Sequence, residues 1–309
     1  MLKSGKDLYC EKPLAACIAE GRHVADLVKA EKRVLQCGTW RRSGIHTRKA
    51  CQLVRNGYIG ELKRIEVGVP GKFAIRGGFS GMEPEQPVPD GFDYEMWLGP
   101  APAAPYTAAR CHFNFRWVDA YAPGYITDWG AHFLDVAQWG NGSDDTCPVE
   151  VHATKVTRRS EGIYDAAESF DIEYAYANGV QMRMFSTTDA AEYGTKFIGT
   201  KGWVFTENMK LESDPPELIR MKFKESDVAL YESNDHRRNF IDCVLSRGET
   251  AAPAETAHRA ATACHLGAIS AAVGKALRFD PKAEKFTGDG EAEANALLAR
   301  PMRGDWSLG

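Results

Sequence analysis

No G-x-G-x-x-G run occurs anywhere in these 309 residues, and the nearest pattern, Gly288-Asp289-Gly290, has neither the third glycine nor a preceding strand. Such a turn, between a strand and a helix, lets backbone amides receive a pyrophosphate, so its absence removes the usual anchor for a dinucleotide. C-x-x-C pairs are lacking too. The eight cysteines (10, 17, 37, 51, 111, 147, 243 and 264) are scattered, several in apolar surroundings. That distribution favours reduced, buried thiols in a cytoplasmic protein over a disulfide framework. No uninterrupted apolar run is long enough to cross a bilayer, and no charged leader with an apolar core opens the chain; an export signal upstream of Met1 stays open. Charge of one sign is also scarce: 38 Lys and Arg against 42 Asp and Glu leave a net charge of -4. Nucleic acid is not an expected partner.

What is present is an ordinary globular composition, 44% hydrophobic and 26% charged, long enough for one large or two medium domains. Two textures follow one another. Residues 1–60 alternate strand and helix: 7–10 as a strand, 15–32 as a helix, 34–37 as a strand and 46–56 as a helix stopped by Gly57. This rhythm implies parallel strands with helical crossovers. From Leu62 strands predominate, at 65–69, 149–156, 168–176, 180–187, 196–199 and 203–205, with turn signals such as Asn178-Gly179 that favour antiparallel hairpins. A long Gly-, Pro- and aromatic-rich segment, 70–126, separates the first two, and its Trp and Tyr content argues for order. Helices return at 235–246 and 254–273.

Two constellations carry chemistry. Asp7-Leu8-Tyr9-Cys10-Glu11-Lys12-Pro13 is a short apolar strand ending in a charged pair and a proline. Further on, Thr127-Asp128-Trp129-Gly130-Ala131-His132-Phe133-Leu134-Asp135-Val136-Ala137-Gln138-Trp139 reads as a helix with Thr127 as N-cap and Gly140 and Gly142 as its end. At 100° per residue, Asp128, His132, Asp135 and Trp139 fall within roughly 60° of one another. A histidine with a carboxylate one turn away on each side suits a general base, its ring oriented and its pKa held near working pH by those carboxylates. A solvated or core-satisfied Asp/His face is the competing reading. His112, His236, His258 and His265 lack the paired spacing and are read as structural or surface residues.

Residues 5–15 resemble the Glu-Lys-Pro signature of the Gfo/Idh/MocA oxidoreductases, the family of glucose-fructose oxidoreductase and inositol dehydrogenase. The segment Asp128 to Trp139 resembles that family's Asp-x-x-x-His helix, and 193–203 and 236–243 continue the likeness, which covers essentially the whole chain. The resemblance implies an α/β (α+β) protein: the remnant of a parallel Rossmann sheet in 1–60, then in 61–309 a larger substrate and oligomerisation domain with an open, mainly antiparallel mixed sheet and helices on one face. It implies that the first four strands of the cofactor domain lie upstream of Met1, so that this polypeptide binds NAD or NADP weakly.

By the same resemblance Lys12, Asp128 and His132 meet over the nicotinamide. Oxidising a secondary hydroxyl of a sugar or polyol needs a base, a cation for the developing alkoxide and a hydride acceptor. His132 is nominated as base, Lys12 as cation and Asp128 as holder of substrate hydroxyls. Asp135 is either a second holder or the orienter of the His132 ring. Glu11 and Pro13, with Trp40 and Arg41, are expected along the nicotinamide edge, and Asn114 and Arg116 either line the sugar site or pack a loop. No metal is expected. An NAD-retaining glycosidase on the same fold and a non-catalytic binding or assembly module remain as alternatives. A homo-oligomer, dimer or tetramer, is expected through the large sheet, because Phe170, Ile172, Tyr174, Met182 and Met184 alternate along its strands and would leave an apolar patch in water.

Overall fold

Two parallel strands open the structure, a computed structural model that describes residues 1–308. β1 (Leu8–Cys10) pairs with β2 (Leu35–Cys37) across α1 (Ile18–Ala30), in the register Leu8 to Leu35 through Cys10 to Cys37. Parallel partners need such a crossover, and helix and strands share a small core of Leu14, Ala25, Leu35 and Cys37 with Ala252, Ala254 and Ala257. Among the described residues β1 has no other strand partner. β2 is covered on its far side, where its Cys37 amide donates to the Ala252 carbonyl at 2.9 Å.

After α2 (Ile45–Arg55) the chain enters a nine-stranded sheet with β3 (Leu62–Pro70). The segment 71–124 that follows is ordered around short elements, α3 (Tyr94–Leu98) and a 3-10 turn at Asn114–Trp117, and leads into α4 (Tyr125–Asp128) and α5 (Gly130–Asn141). Its anchor is Trp117, fully buried and stacked on Phe73 with ring centroids 4.6 Å apart. The sheet then adds β4 (Glu150–Thr157), β5 (Ser169–Ala175), β6 (Gln181–Thr187), β7 (Gly194–Gly199), β8 (Gly202–Glu207) and β9 (Lys210–Asp214). α6 (His236–Ser246), α7 (Ala254–Val273), β10 (Leu277–Asp280), β11 (Lys285–Thr287) and α8 (Glu291–Ala296) complete the chain.

The strand order is β11-β10-β4-β5-β6-β3-β7-β8-β9, and every pairing is antiparallel except β3 with β6. α5 and α7 lie across one face. Phe170, Ile172, Tyr174, Met182 and Met184 point to that face and are buried, none more than 3% exposed. This corrects the expectation of an apolar patch open to water: strand alternation identifies an apolar face, and here the chain's own helices cover it. The helices seat closely because they carry glycine at the contacts. A Cβ at Gly140 would strike the Phe197 ring, and one at Gly267 the Tyr174 hydroxyl. The opposite face is ionic, with Asp171 paired to Arg183 at 2.5 Å and Arg64 within 3.7 Å of Glu173.

All eight cysteines are free, six of them buried, as the scattered spacing implied. Among the described residues no helix is long and apolar enough to cross a membrane.

The face assignment is testable by denaturation. Ile172→Ala, which empties a fully buried site, is expected to cost about 2–5 kcal/mol. Glu173→Ala, its outward neighbour, is expected to cost about 0.5 kcal/mol or less. Equal losses would refute the assignment.

Candidate active site

Lys12 follows directly on the C-terminal end of β1, at the turn Glu11-Lys12-Pro13, whose Lys12–Pro13 peptide is cis. From there Lys12 reaches across the molecule, and its ammonium donates both to an Asp128 carboxylate oxygen and to the Asp128 carbonyl, each at 2.5 Å. Both side chains are only 17% exposed, so the pair is partly desolvated and stronger than a surface ion pair. Asp128 ends α4, and Trp129 joins it to α5, which carries His132 in its first turn. Residues 116 positions apart in sequence thus meet.

The helix does not begin where the sequence suggested. Gly124, at φ 62°, turns the chain into α4, while Thr127 lies inside that helix with its hydroxyl directed back to the Gly124 carbonyl at 3.5 Å. Gly142, at φ 73°, does end α5, but Gly140 lies within it.

His132 is neutral. Burial, and then the charges of Lys12 and Arg41, push its pKa from the ordinary 6.5 down to about 3. Its Nδ1 is buried without a hydrogen-bond partner, and the edge of the Trp40 ring faces it with centroids 6.0 Å apart. The expected flanking carboxylates do not act on the ring. Asp128 is taken by Lys12. Asp135, fully buried, gives both carboxylate oxygens to Arg42 Nε at 2.9 Å, and the same guanidinium holds Asp144 at 2.7 Å. Asp135 is therefore neither an orienter of His132 nor open to substrate: it fastens α5 to the turn that carries Trp40 and Arg41. Arg42 escaped the sequence reading, although an arginine beside a nominated one, after a buried strand, was the available signal.

The other nominated residues divide. Trp40 is 41% exposed at the site, and Arg41 lies beneath it, its guanidinium 4.9 Å from the Trp40 ring centre, 4.5 Å from that of Phe133 and paired with Glu207 at 3.1 Å. The Glu11 carboxylate rests against Gly38, just beyond β2, where any Cβ would collide with it. Pro13 is half-buried. Arg116 belongs to the cleft, with Nε 3.6 Å from an Asp128 oxygen. Asn114 does not: it is buried, accepting from the Arg76 amide and donating to the Arg76 carbonyl, both at 2.9 Å, which is the loop-packing alternative. His236 bridges Ser43 and the Cys37 carbonyl, and His258 pairs with Glu284 at 2.9 Å, both structural as read. Among the described residues no group of His, Cys, Asp and Glu has the arrangement of a metal site.

The sequence profile described as "Oxidoreductase family, C-terminal alpha/beta domain", of the Gfo/Idh/MocA type, matches residues 37–308. Among solved structures the fold is similar to aldose-aldose oxidoreductase from Caulobacter crescentus complexed with glycerol (TM-score 0.62, 18% identity, covering 90% of this chain and 73% of that one). It is also similar to levoglucosan dehydrogenase in complex with NADH and L-sorbose (0.61, 16%, 90% and 74%) and to an NAD-binding protein from Listeria innocua (0.57, 17%, 90% and 73%). No curated protein matches the chain in sequence.

Two measurements test the site. Unfolded, the His132 imidazole takes its proton near 6.5; folded, only near 3. Between those values the unfolded chain binds more protons, so this residue's contribution is full above about 6.5 and is lost as the pH falls toward 3. His132→Gln is expected to flatten the acid side of the stability profile, and an unchanged slope would contradict the assignment. Asp135→Ala, which strands a buried guanidinium, is expected to cost about 3–5 kcal/mol in denaturant unfolding.

Proposed function

Because the chain belongs to the Gfo/Idh/MocA oxidoreductase family, we propose that its site oxidises a secondary hydroxyl of a sugar or polyol with NAD(P). The observation that carries this reading is the junction of Lys12, Asp128 and His132 beside the C-terminal ends of two parallel strands, where open α/β sheets bind their ligands. The named relatives fit it: one holds NADH and a ketose, another glycerol.

The residues present fit one end of the cofactor. Glu11, Lys12 and Pro13 beyond β1, and Trp40 and Arg41 beyond β2, flank the position where a nicotinamide would lie. Neither strand is followed by a glycine-rich turn, so the described residues offer no cradle for the pyrophosphate. When bound, NAD(P) supplies the hydride acceptor. The chain's own residues handle the proton and the charge. Neutral His132 takes the hydroxyl proton at a ring nitrogen, and Lys12 stabilises the oxygen as it becomes negative. Asp128, held by Lys12, accepts from substrate hydroxyls.

Sugar-dependent reduction of NAD(P)+ tests the reading, assayed at cofactor concentrations high enough to offset weak binding. His132→Ala and Lys12→Met are each expected to lower turnover about 10²–10⁴-fold, whereas Asp128→Asn acts more on KM and the exposed His152→Ala changes little. Near-normal turnover in the His132 variant would overturn the assignment. By calorimetry the 309-residue chain is expected to bind NADH too weakly to saturate at millimolar concentration; micromolar affinity would show that a pyrophosphate site exists elsewhere in these residues.

A further inference from the structure

At Asp128 two cations meet one carboxylate. The Asp128 carboxylate is already held by Lys12 at 2.5 Å, yet Arg116 also turns toward it, with Nε 3.6 Å from the same oxygen, outside hydrogen-bond range. One negative group thus stands between two positive ones. Farther out, the exposed Arg76 has its guanidinium 3.9 Å from the centre of the Phe113 ring, and that of Arg116 is 4.2 Å from the same centre. Among the described residues no carboxylate comes within ion-pair distance of Arg76, and Asp128 is the sole carboxylate within that distance of Arg116. Arg41, deeper in the site, does not enter this excess, because Glu207 neutralises it.

Gathering like charges in a partly desolvated cleft is unfavourable unless a counter-charge joins them. Stacking on Phe113 and Phe115 offsets some of the repulsion without satisfying the guanidinium donors. Of these, Arg116 uses one terminal nitrogen on the Phe113 carbonyl at 3.0 Å, and the Arg76 side chain donates to no protein oxygen. A neutral sugar needs hydrogen-bond acceptors such as Asp128, which the site has. It does not need a half-buried guanidinium with free donors beside Asp128, nor a second, exposed one on the same Phe113 ring, and a planar fork of that kind suits an anion.

We propose that the sugar accepted here carries an anionic group, a carboxylate or a phosphate, which Arg116 and Arg76 bind while Lys12, Asp128 and His132 act on a hydroxyl. This rests on the sugar-oxidising reading and narrows its substrate class.

Binding measured by tryptophan fluorescence or calorimetry, with and without NADH, tests it on the whole chain. The probes are D-glucuronate and D-gluconate for carboxylates, glucose 6-phosphate for phosphate, and D-glucose and D-glucitol as neutral counterparts. At least one anionic probe is expected to bind about 10- to 100-fold more tightly than its neutral counterpart, the range for a charge-assisted contact. That preference should shrink with added salt, vanish in Arg116→Gln, fall in Arg76→Gln and return in part in Arg116→Lys. The carboxylate and phosphate arms identify which anion fits. If neutral sugars bind as well as anionic ones, or if the preference survives in Arg116→Gln with an unchanged melting temperature, the anionic substrate is refuted while the sugar site stands. Should Arg116→Gln fail to fold, Arg76→Gln and the salt dependence in the unaltered chain decide. Failure of every sugar to bind, with or without NADH, overturns both readings.

Discussion

The site depends on one buried ionic junction. Arg42 and Asp135 are almost wholly out of water, 3% and 0% exposed, and among the described residues Arg42 is the sole ion-pair partner of Asp135. Burial pushes the Asp135 carboxyl up and Arg42 opposes that push, so the charged pair persists only while its geometry is kept. Such pairs are poor sources of net stability compared with apolar packing, but they are intolerant of misplacement, because a displaced partner leaves an unpaired charge inside the protein. Here the junction joins the turn after β2 to the middle of α5, and Asp144 beyond the helix end takes the rest of the guanidinium. Trp40, Arg41 and His132 are thereby held in one frame, although they come from the small parallel layer and from the helix on the large sheet.

From that frame follows the electrostatic character of the site. With Asp135 consumed by Arg42 and Asp128 by Lys12, no carboxylate is left to stabilise an imidazolium, and His132 faces Lys12 and Arg41 instead. The result is a histidine ready to accept a proton but weakly basic while the site is empty. On the proposed function, a substrate oxygen that develops negative charge between Lys12 and His132 would alter this balance, since each increment of negative charge favours both the ammonium and the protonated ring. The arrangement is thus matched to a state in which charge has moved rather than to the resting one.

Much of this was legible in the sequence where local signals and burial agree. The helix at 254–273 has the predicted bounds because apolar periodicity, a proline before it and Gly274 after it point the same way. The hairpins around Asn178-Gly179 and Lys201-Gly202 follow from turn chemistry. The strands β9, β10 and β11, three to five residues long, were missed, for they lack the intervening helix that marks the equally short β1 and β2 as a β-α-β run. Thr127 was misplaced as a cap because glycine at 124 supplies the turn that a capping hydroxyl would otherwise supply.

The less legible part was depth. Helical periodicity places Asp128, His132 and Asp135 within about 60° of one another, yet Asp128 ends α4, and of the two residues on α5 Asp135 lies wholly in the core. Whether a residue meets the cleft or the core depends on what packs opposite, and for Asp135 the neighbour is Arg42, 93 positions earlier in the chain. The same reasoning applies to the sheet. Alternation sorts Phe170, Ile172 and Tyr174 from Asp171 and Glu173, but only the docking of α5 and α7 decides which face meets water. Local pattern therefore specifies faces, while long-range partners assign each face its role, and the helix that carries His132 is where the two kinds of information are most easily confused.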